Sequence, residues 1–454
     1  MKNIYRNYFH IEPERGLLND PNGLIHFKGT YYFFHQWNRF NTNHDYKEWG
    51  LFTSNDLIHW QQNGSALLPD SFADKDGVYS GSAVENEGKL YIFYTGNTKT
   101  NDIRKSYQKI AISEDGQTFI KQQAVIETPK GFSENHRDPK VWKNGNFWWM
   151  IVGGQTTENQ GAISLFKSLD LKQWEFQGMF YTDPQLDQMC ECPDYFPLTE
   201  NIDILMVCPQ KRTHFRETDI GISSYSGYLI GKFNEENCHY MSNAKIEKTD
   251  IGFDFYAPQT FQDAQGRRII VAWMSRMSDQ EEAECPTVQD GYLHCLTMPR
   301  ELVWKNNRLY QLPLSEYLDR RNPRKEYDYK EDEIENEDRA YAIDIDFKEE
   351  IKDFEMQLNS KSTFIRYSGK QLEIGRINWV TQMNESKMFM IEKLHKLQIF
   401  CDSSTMEIFI NDGEYVFSMR YFTNETQRNI SYRGLDNDSL IRFYHYNLPQ
   451  IEIN

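Results

Sequence analysis

Three carboxylates stand in short, related phrases far apart in the chain. Asp20 lies in Asn19-Asp20-Pro21-Asn22-Gly23, Asp138 in Arg137-Asp138-Pro139, and Glu191 in Glu191-Cys192-Pro193-Asp194. Two carboxyl groups flanking an acetal are what glycosidic cleavage requires: one attacks the anomeric carbon or activates water, and the other protonates the departing oxygen. The proton donor needs a raised pKa, which neighbouring carboxylates and desolvation supply. A third, ionised acid only accepts hydrogen bonds and so suits sugar hydroxyls. Singly, each phrase has a plainer reading, because Asp-Pro and Asn-Gly are common turn chemistry.

The elements around the acids give them a reason to meet. A polar phrase, an apolar strand, a turn and an aromatic strand recur: Asn19–Phe27 with Tyr31-Tyr-Phe-Phe-His35, Tyr79–Val84 with Leu90-Tyr-Ile-Phe-Tyr94, and Arg137–Trp142 with Phe147-Trp-Trp-Met-Ile151. Two further copies are Glu191–Phe196 with Ile204-Leu-Met-Val-Cys208 and Phe255–Phe261 with Ile269-Ile-Val-Ala-Trp273. The anchors Asp20, Ser80, Asp138, Asp194 and Tyr256 recur every 56 to 62 positions. A second phrase follows three of the copies, at Ser54–Trp60, Ser113–Phe119 and Ser168–Trp174. About four strands per repeat of this length make a propeller blade. The expectation is an all-β protein with a five-bladed β-propeller over residues 1–312. Its innermost strands would open with the acid phrases and bring Asp20, Asp138 and Glu191 together. Past Leu312 a short linker helix is expected within 313–325, then a C-terminal β-sandwich over 326–454, with Asn411-Asp-Gly-Glu414 as a hairpin turn.

A formal net charge of −17 disfavours nucleic acid and anionic membrane surfaces, though a local basic cluster could still hold a small anion. No apolar run of signal-peptide or membrane-spanning length occurs, and the seven cysteines lack framework spacing; both fit a reducing cytoplasm. Cys190 and Cys192 flank Glu191, but the other cysteines and the 11 histidines are scattered, so no metal is expected.

The three acid phrases resemble the signature motifs of glycoside hydrolase family 32, the invertase and fructanase family. Trp49-Gly50, Asp56–Trp60, Tyr79–Ala83, Asp254–Thr260, Leu296–Leu302 and Asp402–Asn411 agree with it in order along nearly the whole chain. The resemblance implies a retaining β-fructofuranosidase with no metal or organic cofactor. Asp20 would be the nucleophile, Glu191 the acid/base, and Asp138 the transition-state stabiliser. It also implies a fructose subsite of Asn19, Gln36, Trp49, Tyr79, Ser80, Arg137, Tyr256 and Trp273. This chain departs from the family around the leaving group, with Trp37-Asn38-Arg39 after Gln36 and Leu51 after Gly50.

A cytoplasmic enzyme meets what transporters deliver, which makes sucrose 6-phosphate the expected substrate. Its phosphate needs cations, and the candidates are Arg39, His44 and Lys47, and Arg212, His214 and Arg216 beside Lys211. Free sucrose, short fructo-oligosaccharides or a fructosyl-transfer reaction are the alternatives. A sugar-binding propeller with a dead site is the non-enzymatic one, and a monomer or homodimer is expected.

Overall fold

The computed structural model describes residues 4–101, 103–211, 224–327, 333–348, 350–424, 426–436, 438–446 and 452–453. Internal contacts divide the chain into two compact units. One comprises 15–249 with 256–273 and the last two residues; the other comprises 1–14, 250–255 and 274–452.

The first unit is a succession of antiparallel meanders. Strands β1 (Gly16–Phe27), β2 (Thr30–Asn38), β3 (Glu48–Ser54) and β4 (Gln61–Leu67) pair in order. So do β5 (Val78–Asn86), β6 (Lys89–Thr100), β7 (Ile103–Ser113) and β8 (Ile120–Glu127). The third meander is β9 (Phe132–Asn144), β10 (Phe147–Thr156), β11 (Gly161–Ser168) and β12 (Glu175–Thr182). The fourth is β13 (Met189–Thr199), β14 (Ile202–Gln210) and β15 (Gly227–Asn234), with β16 (His239–Met241) and β17 (Glu247–Lys248) both on β15. A hairpin of β18 (Tyr256–Gln262) and β19 (Arg268–Trp273) opens on the fifth copy of the repeat.

The second strand of each of these four meanders carries a run of four or five buried apolar residues because both of its faces are covered there. Ile92 and Tyr94 pack with Phe34 and Trp49 of the preceding sheet, while Phe93 between them packs with Met150 and Val152 of the next. Trp149 and Ile151 turn the other way, onto Leu205 and Val207. Alternate side chains thus glue successive sheets face to face, as a two-residue period dictates. The innermost strands close a ring: β1 beside β5, β5 beside β9, β9 beside β13, β13 beside β18, and β18 beside β1. This is a propeller.

Each of these five strands is broken at its motif. Register shifts fall between Leu18 and Pro21, between Tyr79 and Gly81, opposite Ile151–Gly153 in β9, between Glu191 and Asp194, and between Tyr256 and Gln259. Proline has no N–H to give a ladder, so Pro21, Pro139, Pro193 and Pro258 sit where the ladder is interrupted. Gly81 fits its bulge because a Cβ there would lie 1.9 Å from the Phe93 carbonyl oxygen. The Asp-Pro pairs that suggest turns are therefore strand bulges, which re-aim the side chains they carry.

The other unit contains the sandwich. One six-stranded sheet runs in the order Arg321–Tyr327, Leu440–Tyr446, Tyr341–Asp346, Lys396–Cys401, Thr405–Ile410, Tyr415–Arg420. Its mate runs Glu333–Ile334, Ile430–Arg433, Asp353–Leu358, Thr363–Ser368, Gln371–Ile377, Asn384–Met390. Ile343, Ile399, Ile408, Met356, Ile365 and Ile374 form the layer between them. The helix expected within 313–325 is one turn, Ser315–Leu318, and extended chain resumes at Arg321. Asn411, Asp412 and Gly413 all have positive φ in the hairpin turn.

Asp194, the last residue of the Glu191 phrase, braces the ring. It is fully buried and takes the Lys140 ammonium at 2.8 Å and the Thr260 N–H at 2.6 Å, tying β13 to β9 and β18. Asp194→Ala leaves the Lys140 charge buried and unpaired, a loss of about 3–5 kcal/mol. Urea unfolding of the two proteins measures it; a loss below about 1 kcal/mol would contradict the brace.

Candidate active site

The bulges bring the three acids of the repeat together. Asp20, half-buried in β1, accepts from Ser80 Oγ of β5 at 2.6 Å. Asp138, buried in β9, accepts from the Cys192 N–H of β13 at 2.9 Å. The Cys192 thiol lies between them, 3.5 Å from Asp138 Oδ2 and 3.9 Å from Asp20 Oδ2. Behind Asp138, its N–H donates to Thr95 Oγ1 at 3.0 Å, and that hydroxyl donates to Gln108 Oε1 at 2.6 Å. Glu191 is ringed by donors. Arg137 reaches Oε1 through Nε, at 3.2 Å, and through Nη2; Gln210 Nε2 donates to Oε2, and Tyr256 OH donates to the same oxygen at 2.9 Å.

Asp138, Cys192 and Ala257 each precede a proline and hold φ of 70°, 44° and 49°. Non-glycine residues avoid this region, and a following proline narrows their choice further, so the site stores backbone strain at three of its bulges.

The electrostatics follow from crowding. Burial, then repulsion from Glu191 and Asp20, lifts the Asp138 carboxyl to about 7 despite the adjacent Arg137 charge. Burial opposes the Arg137 charge, but Glu191 and Asp138 outweigh it and raise its pKa. The Cys192 thiol is pushed well above its ordinary value by burial and by Asp138 and Asp20, so it is a neutral, weak donor there. His136, beside this group in sequence, is held neutral by burial and by Arg137, at about 3.

The other expected residues divide by exposure. Asn19 is buried and accepts from Lys47 Nζ at 2.6 Å; Lys47 Nζ is also 2.9 Å from His44 Nδ1. The His44 ring stands 6.1 Å from that of Trp273, which lies 6.5 Å from Tyr256. Tyr79 is half-buried, with the Arg104 guanidinium 6.0 Å from its ring centre. Gln36 is buried and donates to the Val78 carbonyl at 2.8 Å. Trp49 is fully buried against Phe34, and its indole N–H holds the Tyr79 carbonyl at 2.9 Å, so it reaches the site through β5. Arg39 is turned onto Ser65 at 2.9 Å and buried Glu48 at 3.6 Å. Arg212, His214 and Arg216 lie outside the described residues.

Sequence reasoning missed Gln210, Thr95, Gln108 and Arg104. Gln210 had a usable signal: β13 and β14 are antiparallel with Glu191 opposite Cys208, so Gln210 is the next residue on the face that Glu191 shares. Thr95 and Gln108 sit on β6 and β7, away from any motif, and only the packed ring brings them behind Asp138.

A ring of β-meanders whose inner strands gather three carboxylates, one guanidinium and several neutral donors is a propeller glycoside hydrolase. The glycosyl hydrolases family 32 N-terminal domain matches residues 10–313 and the family 32 C-terminal domain matches 317–441, so the chain belongs to glycoside hydrolase family 32. It is similar to the sucrose-6-phosphate hydrolase of Bacillus subtilis, 38% identical over 92% of this chain and 89% of that protein. Among solved structures it resembles the sucrose-6-phosphate hydrolase of Lactobacillus gasseri, with a TM-score of 0.88 at 29% identity, covering 98% of this chain and 94% of that one. A Bombyx mori family 32 β-fructofuranosidase mutant in complex with sucrose superposes with a TM-score of 0.81 at 26% identity, covering 99% and 95%. Among the described residues no helix is long and apolar enough to cross a membrane.

The raised Asp138 pKa has a stability consequence with a definite sign. Between the unfolded value, near 4, and about 7, the unfolded chain releases this proton while the folded one keeps it, so folding loses stability as pH rises. Asp138→Asn removes that penalty. Its stability gain over the parent should be about 3 kcal/mol larger at pH 8 than at pH 5, alongside a loss of activity. Denaturant melts of both proteins at the two pH values test it; parallel pH profiles would refute the shifted proton.

Proposed function

We propose that the enzyme is a retaining β-fructofuranosidase that hydrolyses sucrose 6-phosphate to fructose and glucose 6-phosphate. The observation that carries the chemistry is the meeting of Asp20 and Glu191 around Cys192 and Asp138, each acid in a different donor set. Asp20 attacks the anomeric carbon of the fructosyl unit, with Ser80 orienting its oxygen. Glu191, held by Arg137, Tyr256 and Gln210, gives its proton to the leaving oxygen and then takes one from water. Asp138 accepts fructose hydroxyls and counters the positive charge of the transition state. Arg137 Nη1 is buried without a partner among the described residues, a donor suited to a sugar oxygen. Asn19, Tyr79, Tyr256 and Trp273 border the same fructosyl subsite, Trp49 and Gln36 hold its walls, and no cofactor takes part.

The phosphate is assigned to Lys47 and His44. Lys47 reaches Asn19, the neighbour of the nucleophile, and His44 approaches Trp273, so this pair puts positive charge at the edge of the fructosyl subsite. The named activity of the Bacillus subtilis and Lactobacillus gasseri relatives supports the same substrate. None of the seven cysteines is in a disulfide, which fits a reducing cytoplasm. A division near residue 312 and a monomer or homodimer complete the reading.

Asp20→Ala should lower the rate by at least roughly 10⁴-fold, as loss of a covalent nucleophile does, and proton NMR should show the β-anomer of fructofuranose formed first. An unchanged rate, or the α-anomer, would overturn the mechanism. For the substrate, kcat/KM on sucrose 6-phosphate should exceed that on sucrose. Lys47→Met should cost about 10- to 100-fold more on the phosphorylated sugar than on the plain one. Equal losses on both sugars would remove Lys47 from phosphate binding.

A further inference from the structure

Asp138 is gripped at both ends. Its carboxylate accepts from the Cys192 N–H of β13, and its own N–H donates to Thr95 Oγ1 of β6 at 3.0 Å. The second bond exists because of the bulge. In the pairing of β9 with β10, Arg137 faces Gly153 and Lys140 faces Ile151, so Asp138 and Pro139 together face Val152. The ladder is broken there, and the Asp138 N–H turns to the neighbouring sheet instead. A φ of 70° ahead of a proline is strained and persists only where the surroundings hold it.

Thr95 can hold it only with a lone pair turned toward Asp138, and a chain of buried groups sets that orientation. Thr95, Gln108, His136 and Ser164 are each 0% exposed. The Thr95 hydroxyl gives its hydrogen to Gln108 Oε1 at 2.6 Å. That points Gln108 Nε2 at His136, where it donates to the carbonyl at 3.2 Å and lies 3.4 Å from ring Nδ1. Burial and the Arg137 charge keep the His136 ring neutral. A neutral ring carries one hydrogen, and with Nδ1 facing an amide N–H that hydrogen is on Nε2. Nε2 then donates to Ser164 Oγ at 2.7 Å, and the Ser164 hydroxyl donates to the Val152 carbonyl at 3.4 Å. Phe132 and Phe166, with ring centres 5.2 and 6.2 Å from that of His136, pack against the imidazole. The chain therefore begins at the bulge in β9 and ends on Val152, the residue opposite it. Each hydrogen has one acceptor, and each link fixes the sense of the next. Reversing any link would set two hydrogens, or two lone pairs, against each other.

We propose that Thr95 and Gln108 are positioning residues for Asp138: the circuit through His136, Ser164 and Val152 holds the Thr95 hydroxyl as an acceptor, and that acceptor holds the strained backbone from which the carboxylate is aimed. The inference rests on the reading of Asp138 as the transition-state stabiliser. Both positioning residues are fully buried behind Asp138 and act through it. Their effect falls on kcat, because a misplaced carboxylate loses most where charge develops on the sugar.

The test compares two substitutions at one position. Thr95→Val keeps the shape of the side chain and removes the hydroxyl; Thr95→Ser keeps the hydroxyl and removes the methyl. With sucrose 6-phosphate, Thr95→Val should lower kcat by about 10- to 100-fold with KM within about threefold of the parent. Thr95→Ser should stay within about threefold of the parent in both. A parent-like kcat in Thr95→Val would overturn the proposal, as would a loss carried by KM alone. An equal loss in Thr95→Ser would also overturn it, by making the packing of the methyl the cause. Should Thr95→Val not fold, Gln108→Met carries the test, since it removes the acceptor of the Thr95 hydrogen at similar volume. The same fall in kcat supports the circuit, and parent kinetics refute it. Asp138→Asn, assayed alongside, separates the two levels. If it keeps the parent's kcat, the reading of Asp138 falls and the positioning role with it. If it is inactive while Thr95→Val is unimpaired, the positioning role alone falls.

Discussion

Like charges brought close together must each be given donors of their own, and the propeller of this enzyme is organised around that constraint. Asp20, Asp138 and Glu191 come within mutual electrostatic reach, and no one strand could solvate all three. The ring solves this by taking donors from different meanders. Ser80 serves Asp20, the Cys192 backbone serves Asp138, and Arg137, Tyr256 and Gln210 serve Glu191. A regular ladder would consume those backbone groups and point alternate side chains along fixed normals. The bulges free the N–H of Cys192 and turn the acids inward, and the strain at Asp138, Cys192 and Ala257 is the cost of doing so. Asp194, only three residues from Glu191, shows the contrast: paired with Lys140 and Thr260, it is spent on holding the ring.

Much of this was legible in the sequence because the repeat converts sequence distance into spatial equivalence. A period of 56 to 62 residues, with an acid phrase opening each unit, places Asp20, Asp138 and Glu191 at matching points of successive sheets. The local form of the motif was not legible. Asp-Pro is compatible with a turn or a bulge, and only pairing with the next strand distinguishes them. Gln210 enters the site through cross-strand register and Thr95 through packing between neighbouring sheets, both non-local quantities. The resemblance places Trp49 in the fructose subsite, while packing makes it a buried clamp on β5. The sandwich was legible as a class, but its strand order was not, for the same reason: Arg321–Tyr327 pairs with Leu440–Tyr446, more than a hundred residues later, and nothing in either segment announces the other.

The two units manage buried charge differently. Around Glu191 the neutral donors Tyr256 and Gln210 stand beside the charged Arg137, so substrate hydroxyls can exchange with the neutral pair at low cost. In the sandwich-containing unit the charges are formal and largely matched, Arg300 with Glu407 and Asp250, Arg376 with Asp254 and Glu385. Fully paired networks hold elements in one arrangement, and breaking one partner leaves the other stranded.

Asp138 connects the crowding to the reaction. In the empty site its proton is retained to about pH 7, since burial and two neighbouring acids penalise its charge. In the proposed reaction the fructosyl ring becomes oxocarbenium-like as the leaving group departs, and positive charge appears where those acids converge. That charge lowers the penalty on Asp138 at the moment it forms, so the carboxylate interacts more strongly with the transition state than with the ground state. Only such a difference accelerates the chemical step. The repulsion that makes the site expensive to fold is thus relieved along the reaction coordinate, and the charge density that destabilises the resting enzyme becomes the source of its electrostatic catalysis.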